Sequence, residues 1–213
     1  IHRLLIHSVN DYLSLGRMQN TLMRRDMGEN AKEAILAAAK KTAQAHGYGG
    51  LNFRELAAEV GIKAASIYYH FPSKADLAVA VARRYWEDSA AYLEAMSAEL
   101  PDPLHCLRKY PVTFRWALEN GNRMCLCSFM AAEYDDLPDL VKKEVQHFAD
   151  VHVGWLSKAL SSAGIGTSEE CDQRAGAIFA AIAGAQLMAR SRSDISLFDG
   201  MIDSYRAAGL LPA

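Results

Sequence analysis

The sequence predicts an all-α protein, with a small N-terminal three-helix unit containing a helix-turn-helix and a larger helical domain behind it. Three observations predict this. Apolar residues recur at helical spacing along most of the chain, and no alternating run between hairpin turns argues for a sheet. Residues 53 to 74, FRELAAEVGIKAASIYYHFPSK, set two short amphipathic patterns around a glycine. Prolines and capping residues punctuate the rest at intervals suited to longer helices. At 213 residues with 51% hydrophobic content, the chain can bury a substantial core as a small domain joined to a larger one.

Taken in order, the first helix is predicted to begin at Asn30, whose spacing to Glu33 makes a capping box, and to stop near Gly47. Asn52 is a good cap for the second helix, and Glu55, three residues on, completes a second capping box. Leu56, Ala57 and Val60 form one apolar stripe, and Ile67 with Phe71 forms the next. Between them, Gly61 supplies the positive φ of a sharp turn and Ile62 an apolar plug. Pro72 breaks the third helix, and Ser73 caps a long fourth one from Lys74 to about Leu100, with Asp76 at its third position. Pro101 and Pro103 precede a helix to about Glu119 that Pro111 should kink. Asn120-Gly121 reads as a turn, followed by a helix over about 122 to 134. Pro138 opens a long helix ending near Gly164, and a final antiparallel pair occupies roughly 168 to 190 and 194 to 208.

With Ile67 and Phe71 turned inward, a rotation of 100° per residue turns Ala65 and Tyr69 outward, with Ser66 and Tyr68 on the flanks. Small side chains let a helix enter the major groove, while tyrosine hydroxyls, His70 and Lys74 can meet phosphates. The alternative is a plain helical hairpin whose aromatics fill a core. Charge favours the first reading. Residues 1 to 84 carry 12 Lys/Arg against 7 Asp/Glu, whereas residues 85 to 213 carry 11 against 18, so the basic pole coincides with the motif despite an overall net charge of −2.

Residues 31 to 81 resemble the tetracycline-repressor (TetR) family of bacterial transcriptional regulators. The resemblance rests on AKEAILAAAKKTAQAHGY, FRELAAEVGI and SIYYHFPSKADL, with Tyr68, His70, Phe71, Pro72, Ser73 and Lys74 in the family's order. It implies phosphate contacts from Tyr68, His70 and Lys74 and base or groove contacts from Ala65, Ser66 and Tyr69. Leu51 and Asn52 replace a usual Thr-Ser pair, and Asn52, with Arg54 beside it, can still approach the backbone. Lys63 stands where a serine often caps the recognition helix; it cannot accept a bond from the helix N-terminus, so it is assigned to a phosphate. The implied function is a dimeric, one-component repressor that binds a two-fold double-stranded DNA operator and is released by a small-molecule effector.

The implied organisation is residues 27 to 73 as the DNA-binding domain and 74 to 213 as the effector-binding and dimerisation domain. Residues 1 to 26 fall outside the resemblance. They are either a basic arm, with Arg17, Arg24 and Arg25 reaching a minor groove, or sequence ahead of a start at Met18, Met23 or Met27. In the resembled family the last two helices of each subunit form a four-helix dimer interface, which places Phe179, Ala181, Gly184 and Met188 there. The segment RMCLCSFMAAEYDDLPDLV, 123 to 141, is a looser match to the family's effector domain. Trp116, Met124, Cys125, Phe129, Met130, Tyr134 and Trp155 are candidates for a pocket for an apolar or aromatic effector, with Arg115, His147 and His152 as polar anchors.

Rival chemistries are weaker. There is no G-x-S-x-G, P-loop or H-E-x-x-H, so no enzyme and no cofactor is expected. A metal sensor would use His147, Asp150 and His152, although five-residue spacing fits helical ligands poorly, and the expected metal is none. Cys125 and Cys127, two apart on an expected helix, lie about 200° from each other and cannot clamp a metal or form a mutual disulfide. A thiol-based electrophile or redox sensor remains the alternative, with Arg123 lowering a thiol pKa. No apolar run approaches the ~20 residues of a membrane helix, and the four cysteines lack an extracellular framework spacing, so a cytoplasmic location is expected.

Overall fold

The computed structural model describes residues 28–213, and its secondary structure there is helical, with no strand among the described residues. The proposed basic arm with Arg17, Arg24 and Arg25 lies outside them. Helix α1 covers 28–46 and buries Ile35, Ala39 and Ala43 at four-residue spacing. Residue 28 is already helical, so Asn30 sits within α1 instead of capping it. The helix ends where Gly47 takes φ 65°, as expected from a left-handed C-terminal glycine.

α2 (Phe53–Val60) and α3 (Ala64–His70) are the two short helices of the motif. The Asn52 side chain accepts from the main-chain N–H of Arg54 at 2.9 Å and of Glu55 at 3.4 Å. Glu55 returns no bond to Asn52, so the cap is one-sided and the expected capping box is incomplete. Gly61 adopts φ 76°, closes α2 through Ala57 and Ala58 carbonyls, and permits α3 to cross α2. Lys63 occupies the N-cap of α3 without a side-chain bond, as its chemistry requires. Leu56, Ala57, Ile67 and Phe71 are buried together.

α4 (Lys74–Glu99) starts under a Ser73 cap whose hydroxyl accepts from Asp76 N–H at 3.2 Å and donates to its carboxylate at 2.7 Å. Its first half buries Leu77, Ala78, Val81 and Ala82 in the core shared with the motif, and its last turns bury Leu93 and Met96. Its middle holds Tyr85, Ser89 and Tyr92 on one partly open face at helical spacing. This one helix therefore spans both units.

Pro111 does more than kink the next helix: the run divides into α5 (Pro103–Lys109) and α6 (Val112–Glu119). Proline lacks the N–H that would continue the ladder, and Pro111 instead caps α6. α7 (Leu126–Ala132) is shorter than the sequence predicts, because Gly121 at φ 85° and Asn122 at φ 54° hold the preceding residues in a left-handed turn. A 3-10 turn over Tyr134–Asp136 leads to α8 (Asp139–Ser162), then α9 (Ser168–Arg192) and α10 (Ile195–Ala207). Thr167 and Glu170 form a reciprocal capping box at the start of α9. α8 packs between α4 and α9, and α10 returns along α9, so the buried residues of both units make one continuous core. Within it, Gln186 of α9 is fully buried and accepts from Cys125 N–H at 2.9 Å while donating to Phe114 O at 2.6 Å, tying three elements with one amide.

Candidate nucleic-acid interface and ligand cavity

The motif presents the side chains that groove binding needs. Tyr69 is 84% exposed, and Ala65, beside it on the same face of α3, is also exposed. Tyr68 is 57% exposed yet anchored, its ring edge-on to Phe53 at 4.7 Å. Asn52, Arg54 and Lys63 are exposed; Ser66, His70 and Lys74 are half-buried. Asn52, Arg54, Ala64, Tyr68 and Lys74 border one surface notch floored by Leu51 and Phe53. Two donors and a hydroxyl around a concave floor suit a phosphate oxygen.

Lys74 is not a free cation. Its ammonium donates to Gly49 O at 3.1 Å and lies over the Tyr48 ring at 4.4 Å. An ammonium has three donors, so it retains capacity for a phosphate while bracing the turn after α1. His70 stacks edge-on with Tyr69 at 5.1 Å, at the rim of the exposed face.

The larger domain holds a cavity of about 170 Å³ between α1, α4, α6 and α8, bordered by Lys40, Tyr85, Asp88, Ser89, Tyr92, Thr113, Trp116 and His152. A second lobe of about 290 Å³ shares Lys40, Tyr85, Thr113 and Trp116 and extends to Gln44, Ala117, Asn120 and Arg123. Trp116, 42% exposed, packs edge-on to Tyr92 at 4.8 Å and forms the common wall. The charges at the rim offset one another, since Lys40 pairs with Asp88 at 3.6 Å and sits 5.2 Å from the Tyr85 ring.

His152 is 2% exposed, and burial pushes its pKa down to about 4, so the imidazole is neutral. Lys40 and Gln44 belong to α1, so this cavity opens against the same helix that supports the motif.

Comparison with known proteins agrees with this arrangement. Residues 35–81 match the profile of bacterial regulatory proteins of the tetR family. The HTH-type transcriptional regulator RutR of Escherichia coli (strain K12) is 30% identical over 98 residues, 46% of either chain. The HTH-type transcriptional repressor BepR of Brucella suis biovar 1 is 32% identical over 90 residues, 41% of this chain and 43% of its own. The chain thus spans just under half the length of the curated relatives it matches. A TetR transcriptional regulator from Legionella pneumophila superposes with a TM-score of 0.79 at 30% identity, covering 83% of this chain and 96% of that one. The chain belongs to the TetR family.

Within this TetR-family chain, the candidates drawn from residues 116 to 155 scatter. Trp116 and the anchor candidate His152 border the cavity beside α1, and Trp116 borders both of its lobes. Trp155 stacks on Tyr110 at 5.6 Å and donates to Leu93 O and Ser97, bordering a different cavity of about 320 Å³ at the α4–α5 end. Met130 is fully buried core. Met124 is buried too, and its main chain pairs with Gln44 through both its N–H and its carbonyl. Phe129 lies under the Arg190 guanidinium at 4.8 Å. Tyr134 is exposed beneath Lys142, and His147 is exposed against Trp86. Arg115 is held by Asp199 through two bonds at 2.8 and 3.0 Å and by Glu119, so it pins α6 to α10 and is no ligand anchor.

The sensor alternatives fare no better. Cys125 precedes α7 as its N-cap, so it and Cys127 do not share a helix as the sequence predicted. Both thiols are free and buried, and burial raises both pKa values, Cys127's strongly, which suppresses the reactive thiolate. His147 faces solvent while His152 is enclosed, and the described residues hold no group of three or more metal-ligating side chains. On α9, Phe179 is partly buried, with its ring 5.9 Å from Phe114 and 5.8 Å from His152, so it packs against the core of its own subunit. Ala177, Ala180, Gly184, Leu187 and Met188 are the exposed ones, and Ala181 is half-buried.

Tyr85, Tyr92, Lys40 and Gln44 escaped the sequence reading. The stripe of Tyr85, Ser89 and Tyr92 on α4 was visible as a pattern, but only the placement of α6 shows that it faces a cavity.

Proposed function

We propose that the protein is a dimeric, ligand-responsive transcriptional repressor, without catalytic activity, that works in the cytoplasm. Residues 27 to 73 bind double-stranded DNA and residues 74 to 213 sense a small molecule and dimerise. The observation that carries this reading is the junction: one cavity borders α1, whose buried residues share a core with those of the motif, and α4, which begins where the motif ends. Docking uses Asn52, Arg54, Lys63, Tyr68, His70 and Lys74 on phosphates and Ala65, Ser66 and Tyr69 in the groove. Similarity to a relative named a repressor supports the sign of regulation.

Two copies pairing through α9 and α10 set two α3 helices apart by about 34 to 36 Å, one turn of DNA. A ligand that wedges α1 and α6 apart moves one reader relative to the other, and loss of simultaneous docking lowers the affinity of the whole dimer. The apolar lining of Tyr85, Tyr92 and Trp116 suits an aromatic or apolar effector. The test is a shift assay with the gene's own upstream region, followed by a metabolite screen for release. A specific complex that a small aromatic compound dissociates supports the reading; absence of any specific complex sinks it.

A further inference from the structure

The outer lobe of the cavity beside α1, about 290 Å³, has a wall of unbalanced charge. Its amides and its threonine hydroxyl already have partners: Gln44 Nε2 donates to Met124 O at 3.3 Å, Asn120 Nδ2 to Trp116 O at 2.8 Å and Thr113 Oγ1 to Tyr110 O at 2.7 Å. The charged residues of the lobe are Lys40 and Arg123, and no carboxylate borders it among the described residues. Arg123 fixes its main chain through N–H to Ala117 O at 2.9 Å, while its guanidinium lies beside the exposed Gly121.

The Lys40 ammonium is open to what enters. It lies 3.6 Å from Asp88 Oδ2 and 5.2 Å from the centre of the Tyr85 ring, two groups that border the inner lobe, and the Lys40 side chain is 40% exposed. At 3.6 Å the pair with Asp88 is longer than a good hydrogen bond, and an ammonium has three donors, so Lys40 keeps capacity for another anion. The pair also has a place in the architecture. Lys40–Asp88 and Glu33–Arg84, at 3.2 Å, are the two ion pairs that join α1 to α4 among the described residues.

The remaining wall is aromatic. Tyr85 and Trp116 border both lobes, and Tyr92 stands edge-on to Trp116 at 4.8 Å in the inner one. A cavity of about 150 Å³ suffices for benzene, so the inner lobe of about 170 Å³ takes one ring. A ring held there and a negative group in the outer lobe would answer both walls with one molecule.

We propose that the cavity binds a planar aromatic carboxylate, its ring against Tyr92 and Trp116 in the inner lobe and its anion on Lys40 and Arg123 in the outer one. The inference rests on the effector reading above and assigns the charge of the ligand. By drawing Lys40 from Asp88, the carboxylate removes one of the two ion pairs between α4 and α1, whose buried residues share a core with the motif.

The probes are 3-phenylpropanoate, its neutral amide 3-phenylpropanamide and the cation 3-phenylpropylamine, with inorganic phosphate as an anion lacking a ring. Binding to the full chain without DNA is read by calorimetry. The carboxylate is expected to bind about tenfold more tightly than the amide at low salt, a charged contact discounted for solvent exposure, and the advantage should shrink as salt is added. Lys40→Met and Arg123→Met should each reduce that advantage, and the double variant should bind acid and amide alike. The affinity for the amide, expected to stay level, checks that each variant is folded; the salt dependence in the unaltered protein tests the charge without any substitution.

Equal or tighter binding of the amide or the amine, phosphate binding as tight as the aromatic acid, an advantage that survives in the double variant, or binding of none of the probes each overturns the proposal. Binding of 3-phenylpropanoate as expected, without loosening the operator complex, would support the anionic site while counting against the effector reading.

Discussion

Arg190, near the end of α9, donates a hydrogen bond to the main-chain oxygen of Ala45, in the last turn of α1, at 3.1 Å. A second bond reaches Gln44 O at 3.2 Å, so one guanidinium answers two carbonyls that the helix end leaves open. Phe129 supports it from below, and Glu133 adds a matching grip on the following turn by accepting from Tyr48 N–H at 2.6 Å and Gly49 N–H at 3.2 Å. A basic and an acidic side chain from the larger domain thus hold both sides of the α1 terminus. These contacts tie the larger domain to the end of the helix that precedes the motif.

Arg190→Met should lower unfolding stability by about 1.5 to 3 kcal/mol, the range for a charged hydrogen bond lost from a partly buried site. Phe129→Ala should act through the same clamp, so the double variant should fall short of the sum of the two losses. This displaces the sequence-level expectation that Phe129 lines the effector pocket. Denaturant melts of the two single variants and the double settle it; full additivity would separate Phe129 from the clamp.

At the DNA face, Arg54→Ala should weaken operator binding alike across sequence variants and reduce the magnitude of the log–log salt slope by about one. Lys74→Ala should lower the slope similarly and also cost stability, since its ammonium braces Gly49 O and the Tyr48 ring. Tyr69→Ala, the most outward aromatic, should instead alter base preference with little change in slope. Titrations at several salt concentrations distinguish these; an unchanged slope in Arg54→Ala would remove that residue from the phosphate contacts.

The motif was legible because its information is local: Gly61, the Leu56 and Ile67 stripes and the Ser73 cap each act within one turn of themselves. The turn at Gly121–Asn122 shows where such reading ends. Asn120-Gly121 signalled a turn, but the left-handed Asn122, held by its bonds to Arg190 O and Ser193, delays α7 by four residues and takes Cys125 off the helix. Most pocket candidates failed for a related reason. Aromatic and methionine content marks residues that dislike water, and core and cavity share that property; only tertiary placement separates Met130 from Trp116. His152 was named as one anchor among three, with nothing in its neighbours along the chain to prefer it over His147.

Burial of neutral His152 also makes stability depend on pH. The ordinary value of 6.5 falls to about 4 in the folded state, so between these pH values the unfolded chain binds a proton that the folded chain does not. Stability from this residue is therefore complete above about pH 6.5 and is lost as pH falls toward 4, by about 2 kcal/mol at pH 5. His152→Phe should reduce the difference in melting between pH 7.5 and pH 5 by that order. The same pH dependence in variant and parent would contradict the buried neutral state.

Assembly can be tested at Gly184 without disturbing the subunit. A Cβ built there meets no atom within 4 Å, and the position is exposed on α9 beside Ala180, Leu187 and Met188. Gly184→Arg therefore fits the isolated fold, and helix propensity favours it. Across a two-fold axis the same substitution places two guanidinium groups in an apolar contact, where they meet each other and lose water. The expected result is a monomer by light scattering, with unchanged helical content and operator affinity reduced to that of a single reader. Ala181 is a poorer probe, because its carbonyl accepts from the Tyr205 hydroxyl at 3.3 Å and a bulky replacement would strain the α9–α10 packing itself. An intact dimer in Gly184→Arg would move the interface off this face of α9.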